Sequence, residues 1–284
     1  IYPNEKNIFY PRKNLLKLLD INDKIFLEKI IKDENVEIIF HAAAYKHVNI
    51  LENNIFSAVK NNIFATYNIC DLSKKYSCEM IFISTDKAAN PTTVLGYTKR
   101  VAEKVCEYFN SSNLIKNQIK IVRFGNVFGS SGSAINSFID KINNEKPVQI
   151  TSKKASRYFM TVLEACHLVL QTSAIKSNEK IFILNMGKPI NIFELASNLA
   201  KIKMRLNPKY KFEYKEIGLY PGEKLNETLK DRSEIIKKVN KEIFAVVNKK
   251  RINNNFMKHY EKLIFYYSKI KRKKLIIFLK KISG

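Results

Sequence analysis

Apolar residues recur along the chain in two alternating rhythms, short runs of strand length and longer stretches with helical spacing. That alternation predicts a parallel sheet with helices on both faces. Residues 15–19 form the first apolar run. The polar cluster Asp20, Ile21, Asn22, Asp23 stops it and caps a helix through Phe26, Ile30 and Ile31. Residues 36–41 read as a second strand running into Ala42, Ala43 and Ala44. A helix over 55–76 precedes a strand over 80–84, which ends in Thr85, Asp86 and Lys87. A helix over 94–109 leads to a strand over 119–123 and then to the glycine-bearing turn 124–132. Beyond Glu145 the units shorten: strands at 148–151 and 181–185, helices at 162–173 and 191–201. The expected fold class is α/β, a doubly wound parallel sheet that is incomplete at the N-terminus, with a smaller, interleaved C-terminal lobe. The expected boundaries are 1–147 for the partial sheet domain, 148–236 for the lobe and 237–284 for a basic, largely helical tail.

With 284 residues, 45% hydrophobic and 27% charged, the composition is that of a globular protein. It excludes wholesale disorder, a collagen-like repeat and a disulfide scaffold. The net charge of +24 invites a nucleic-acid or anionic-membrane reading. Only eight of the 50 basic residues are Arg, however, and phosphate and base readout favour the planar guanidinium fork. The surplus is also uneven. From residue 237 to 284 fifteen Lys or Arg face only Glu242 and Glu261, a net of +13 that leaves +11 for the rest. Nucleic acid is therefore not expected as a partner.

Cys70, Cys78, Cys106 and Cys166 form no C-x-x-C pair and sit in helix or strand patterns, so reduced, buried thiols and a cytoplasmic location are expected. No run of 18 apolar residues occurs, and an opening on Ile1, Tyr2 and Pro3 gives no expectation of a signal peptide. His41, His167 and His259 lack metal-ligand spacing, and no metal site is expected.

Open sheets bind ligands beyond the carboxyl ends of their strands. Asp20, the three alanines, 84–87 and 123–126 all fall at such ends and are expected to converge on one crevice. Asp86 beside Lys87 supplies a carboxyl group that can protonate a leaving hydroxyl and an amine that can remove a proton, the pair that elimination of water requires. The structural alternative is a loop-capping Asp86 and a solvated Lys87. Lys99 lies four residues after Leu95, where a Tyr-x-x-x-Lys pair would place a phenol one helical turn from the amine. Leu cannot transfer a proton. Tyr97 points elsewhere on that helix.

The segments 40–49, 60–69, 84–93, 123–134, 157–162 and 221–226, among them HAAAYKHV, NNIFATYN, STDKAANPT, RFGNVFGSSGSA and PGEKL, resemble the extended short-chain dehydrogenase/reductases. Within that superfamily they are most similar to the CapD-like nucleotide-sugar 4,6-dehydratases of polysaccharide biosynthesis. The resemblance covers roughly residues 15 to 230 and implies a Rossmann-like sheet, an NAD or NADP cofactor and a UDP-sugar substrate, UDP-N-acetylglucosamine or a related UDP-HexNAc. It implies that Lys87 is the base at C5, that Asp86 is the acid to the C6 hydroxyl, and that Thr85 bonds near the C4 oxygen. Lys99 would keep a ribose contact. Asp20 and Ile21 resemble the pair that holds the adenine ring, Ala42 to Ala44 let the dinucleotide lie close, and Asn62 resembles a helix Asn beneath this site with a structural or direct role. Asn126 and Arg157 resemble contacts to the sugar diphosphate, and Glu223 a ribose-hydroxyl acceptor. Lys46 and His47 would line the sugar pocket, with a structural role also open for His47. Tyr220 stands where an Arg often precedes PGEKL. The resemblance implies a homo-oligomer. The shorter dehydratases that invert C5 and the 4-epimerases are the enzymatic alternatives, and Leu95 argues against both. An inactive interaction module is the alternative from another class.

The glycine-rich strand–loop–helix unit that receives a pyrophosphate is missing, since the earliest glycine is Gly96. The chain accordingly reads as the C-terminal part of a longer protein, and in long family members this part follows transmembrane helices, which leaves room for the inner face of the cell membrane. Residues 271–281 form a short basic amphipathic segment, readable either as a membrane-surface helix or as a solvated one.

Overall fold

The main sheet has six strands in the order β1-β2-β3-β8-β12-β11, in a computed structural model that describes residues 17–111, 119–130, 132–247 and 255–284. β1 (Ile38–His41), β2 (Glu79–Ile83), β3 (Ile119–Arg123) and β8 (Ile181–Leu184) run parallel. β12 (Ile243–Val247) pairs antiparallel with β8, and β11 (Ile235–Lys238) antiparallel with β12. β3 and β8 are buried throughout; β8 is accordingly wholly apolar, while β3 buries Lys120 and Arg123 beside three apolar residues.

Helices connect these strands. α1 (Lys24–Asp33) starts at Asp23, whose carboxylate accepts the Phe26 N–H at 3.0 Å. α2 (Val48–Asn53) and α3 (Ile55–Val59) lead into one wide π-turn at Lys60–Phe64 and then into α4 (Ala65–Tyr76). α5 (Val94–Ser111) packs against α4. Four short strands, β4 (Asn126–Val127), β5 (Val148–Ile150), β6 (Ser156–Arg157) and β7 (Phe159–Met160), surround α6 (Ala134–Asn143). α7 (Val162–Ala174) opens with a capping box between Thr161 and Glu164. β9 (Ile190–Asn191), α8 (Ile192–Leu206) and β10 (Tyr214–Glu216) complete the lobe. There β10 pairs with β5, β4 with β7 and β6 with β9. α9 (Phe256–Ser268) and α10 (Arg272–Ser283) follow.

The core has three main parts. One face of the sheet is covered by α4, α5, α9 and α10, the other by α7, and the lobe closes around Phe138, Val148, Ile150 and Ala196. Among the described residues no helix is long and apolar enough to cross a membrane.

The structure departs from the expectations in four places. The strand at 15–19 is absent over Lys17–Leu19, where the backbone is irregular and Leu18 is wholly exposed with no ladder to join; Leu16 and residues before it lie outside the described residues. The helix expected over 55–76 is present as α3, the π-turn and α4 in unbroken succession. Residues 237–284 are not a free tail: β12 is buried in the main sheet, because the run Ile243–Val247 pairs with β8, and α9 and α10 pack on the sheet's helical layer. Residues 248–254 lie outside the described ones. In α10 the apolar residues Leu275, Phe278, Leu279 and Ile282 face inward, so this stripe is core. Cys166 is exposed while the other three thiols are buried, since α7 turns Ala165, Leu168 and Val169 toward the sheet.

Candidate active site

The carboxyl ends of β1, β2 and β3 and the edge of the lobe enclose a cavity of about 570 Å³. Ala42, Ala44, Lys46 and His47 line it after β1, Thr85 and Lys87 after β2, and Gly125 and Asn126 after β3. Arg157 and Glu223 line it from the lobe, and Leu95 and Lys99 from the first turns of α5. Three of the four expected strand ends thus converge on one cavity; the end marked by Asp20 does not. A shallower depression of about 770 Å³ at the opposite, amino ends of β1 and β2, between Ile31, Asn35, Tyr76 and Glu79, gathers none of the predicted residues.

Thr85, Asp86 and Lys87 are held by a single turn of 3-10 helix starting at Asp86. The Lys87 ammonium donates to Asp86 Oδ1 at 2.9 Å and lies 3.4 Å from Asn126 Oδ1; the Thr85 hydroxyl donates to the same Asp86 oxygen at 2.8 Å. Asp86 is fully buried, and its Oδ2 has no hydrogen-bond partner among the described residues. Backbone approach is close here: a Cβ on Gly125 would come within 3.2 Å of Asp86 Oδ2, and one on Gly96 within 2.6 Å of the Lys87 carbonyl oxygen.

Lys99 is buried, donates to the Ile83 carbonyl oxygen at 2.6 Å and lies 4.1 Å from the centre of the Phe82 ring. Burial pushes its amine down to about 8, against the pull of Glu103 one turn further on. Beside it burial, with the Lys99 charge, pushes His41 down to about 3.

An ionic network that the sequence reading did not find supports the floor of the cavity. The Ser84 hydroxyl donates to Glu103 Oε1 at 2.6 Å, and Arg123 grips both Glu103 oxygens at 2.7 Å. Arg123 also donates to Glu234 at 2.7 Å, and Arg100 to Glu103 at 2.9 Å. Burial works against both charges, yet Arg123 outweighs it and holds the Glu103 carboxyl down at about 2, while the two carboxylates hold Arg123 well above its usual value. Its sequence signals are a charged residue inside the apolar run of β3 and a Glu one turn after Lys99 on the same helix.

Other predicted residues stand elsewhere. Asn62 does not line the cavity: the π-turn carries its amide inward, where it accepts from the Tyr45 N–H at 2.8 Å and donates to the Tyr45 carbonyl at 3.1 Å and to Thr98 at 3.2 Å. It clamps the 42–47 loop from beneath. Asp20 is exposed, its carboxyl held down by the N–H and side-chain amide of Asn22. Neither Asp20, Ile21 nor Ala43 lines the cavity. Arg157 and Glu223 are bonded to each other at 2.6 Å, with Arg157 Nη1 donating also to the Ser156 and Leu225 carbonyls. Tyr97 is half-buried against the core, away from the cavity. Sequence reasoning missed Gln149 and Ile217, which close the cavity from the lobe beside Tyr220. The wall carries Lys46, Lys87, Lys99 and Arg157 against Glu223 as its acidic residue, a field suited to an anionic ligand. Among the described residues no group of three His, Cys, Asp or Glu is placed to hold a metal ion.

A doubly wound sheet whose strand ends, small loops and helix-borne lysine enclose one cationic cavity defines a Rossmann-like protein of the short-chain dehydrogenase/reductase type. Comparison with known proteins agrees. The signature of the polysaccharide biosynthesis protein family matches residues 4–249, and the chain belongs to that family. It is 40% identical over 219 residues to the capsular polysaccharide biosynthesis protein CapD of Staphylococcus aureus, covering 77% of this chain and 36% of CapD. It is 32% identical over 216 residues to an inverting UDP-N-acetylglucosamine 4,6-dehydratase of Campylobacter jejuni, covering 74% of this chain and 60% of that enzyme. The chain therefore spans about a third of the one relative and less than two thirds of the other. Among solved structures, Pen from Bacillus thuringiensis superposes with a TM-score of 0.75 at 30% identity, over 82% of this chain and 72% of that one.

Proposed function

We propose that this chain is the catalytic part of an NAD(P)-dependent UDP-N-acetylhexosamine 4,6-dehydratase that makes a UDP-4-keto-6-deoxy sugar for polysaccharide synthesis. The observation that carries the reading is the pairing of Lys87 with Asp86 at the cavity wall, an amine and a carboxyl group within 2.9 Å of each other, with Leu95 in the place of a proton-transferring phenol. The dehydratase of Campylobacter jejuni is the relative that supports the substrate class, and CapD supports the role in polysaccharide synthesis.

The residues present fit part of a nicotinamide dinucleotide. Ala42 and Ala44 offer only methyl groups to the cavity, and Lys99 presents a buried ammonium to its wall. The cofactor, when bound, supplies the removal of hydride from sugar C4 and its return to C6. Lys87 then takes the proton from C5, Asp86, which is enclosed until Lys87 turns toward C5, gives a proton to the C6 hydroxyl, and that oxygen leaves as water. Thr85 orients Asp86 by donating its hydroxyl proton to it, and its oxygen accepts from the C4 hydroxyl of the sugar. Arg157, held in place by Glu223 and two carbonyls, faces the diphosphate. Turnover is tested by giving the protein that carries this chain UDP-N-acetylglucosamine with NAD or NADP and following the sugar by mass spectrometry. Loss of one water, abolished in Lys87→Ala, is expected. A C4-epimerised sugar with no water lost overturns the reading.

A further inference from the structure

The outer face of the α9–α10 hairpin combines features that the dehydratase reading does not use, and it lies beyond the matched family signature, which ends at residue 249. From residue 262 to 284 the chain has eight Lys or Arg and no acidic residue. Ile277, at the middle of the exposed face of α10, is 67% exposed although it is a large apolar residue. Its helical neighbours at i−4, i−3, i+3 and i+4 are Lys273, Lys274, Lys280 and Lys281, all exposed. At the tip between the helices Ile270 is 76% exposed and has φ +51°, a left-handed conformation that a β-branched residue adopts only at a cost. Phe265, half-exposed on the outer face of α9, adds a third apolar projection.

The hairpin that presents these groups is firmly seated. Leu263, Leu275 and Leu279 are completely buried, Tyr260 stacks on Tyr67 at 4.7 Å, Lys104 donates to the Ile282 carbonyl and Arg272 to the Glu52 carbonyl. The apolar stripe within α10 is thus consumed by the core, and the exposed isoleucines and phenylalanine are a separate set that no described element covers.

We infer that this face docks on an anionic lipid surface, the lysines meeting headgroup phosphates while Ile270, Ile277 and Phe265 enter the boundary beneath them. Long lysine side chains suit this arrangement, since their stems lie along apolar groups while the ammonium stays at headgroup level. A nucleic-acid groove would want guanidinium forks, and the hairpin's single Arg is tied to Glu52. The charge complements anionic lipid, and the isolated exposed apolar residues have no use on a purely polyanionic partner. Docking here would leave the cavity's catalytic groups untouched, so it stands independently of the reaction proposed above.

The test is flotation of the full chain with vesicles of phosphatidylcholine alone or with about a third phosphatidylglycerol, at about 0.1 M salt. Binding to the anionic vesicles only is expected. Lys273→Glu with Lys274→Glu should weaken it by about fivefold per lysine, so at least about twentyfold for the pair. Lys201→Glu with Lys209→Glu, the same charge change on and just after α8, should leave binding within about twofold. Ile270→Ser with Ile277→Ser should weaken binding severalfold, with the circular dichroism spectrum and melting temperature confirming that the fold is kept. The inference is overturned if the anionic vesicles are not bound, if the α8 pair weakens binding as much as the hairpin pair, or if duplex DNA competes as well as vesicles do and the isoleucine variants bind normally.

Discussion

The Lys87 ammonium rests 2.9 Å from Oδ1 of Asp86, and only the lysine reaches the cavity: its side chain is 18% exposed and that of the aspartate is wholly enclosed. Two groups of opposite charge are thereby joined, while Asp86 keeps a second oxygen without a partner among the described residues. Such an oxygen is costly to bury unless it serves a ligand or a proton transfer.

Replacing either partner should therefore reduce turnover more than binding. Asp86→Asn keeps the size of the side chain and removes its proton chemistry, so kcat for loss of water should fall by about 10²–10⁴ with KM little changed. Steady-state kinetics of the protein carrying this chain measure the split. An equal fall in kcat/KM through KM alone would assign the pair to binding.

Gly96 supplies a second test, because it lets α5 lie against the catalytic turn. A Cβ there would stand 2.6 Å from the Lys87 carbonyl oxygen and 3.1 Å from the Pro91 Cβ, both parts of the chain that cannot swing aside. Gly96→Ala should shift Lys87 and lower kcat by about a hundredfold, the order expected for a misplacement near 1 Å. Retention of full activity would show that the turn is not held by this contact.

The Glu103–Arg123 pair carries a stability prediction. Glu103→Gln leaves Arg123 buried with part of its charge uncompensated and should cost about 3–5 kcal/mol, read from denaturant unfolding. The pH dependence has a definite sign. Glu103 is held down at about 2 against an ordinary value of 4.5, so its contribution is present above pH 4.5 and is lost as pH falls from there toward 2. The melting temperature of the native protein should drop through that window, and the Gln variant should show a shallower drop.

Cofactor affinity gives a fourth prediction. No glycine-rich phosphate loop occurs in the 284 residues, whose earliest glycine is Gly96, so calorimetry on this chain by itself should find weak or no binding of NAD or NADP. Tight binding would mean that the 42–47 loop and Lys99 suffice to hold the dinucleotide.

The alternation of apolar runs and the chemistry of the strand ends were legible one residue at a time, because a strand buried on both faces has to be apolar and a ligand site at its end has to be small or polar. Thr85, Lys87 and Asn126, expected at one crevice on that basis, line one cavity, and Arg157, expected from the resemblance alone, lines it too. Asn62 was ambiguous in sequence for a physical reason: an Asn in a helix can face a ligand or a backbone, and the π-turn that aims it at Tyr45 has no residue signature. Arg157 and Glu223 were each legible as polar contacts, but 66 residues separate them, and only the fold closes their bond.

The C-terminal third shows the same division most clearly. Its amphipathic spacing determined that 271–281 would be a helix with an apolar stripe, since that depends on neighbours three and four residues apart. Whether the stripe met lipid, water or protein depended on what lay across from it. Tertiary structure settled that by setting Leu275, Phe278 and Leu279 against the layer of α5, and by pairing Ile243–Val247 with β8 some sixty residues earlier in the chain. Local periodicity fixes which face of an element is apolar; only long-range packing decides what that face covers, because the partner surface is assembled from distant parts of the chain.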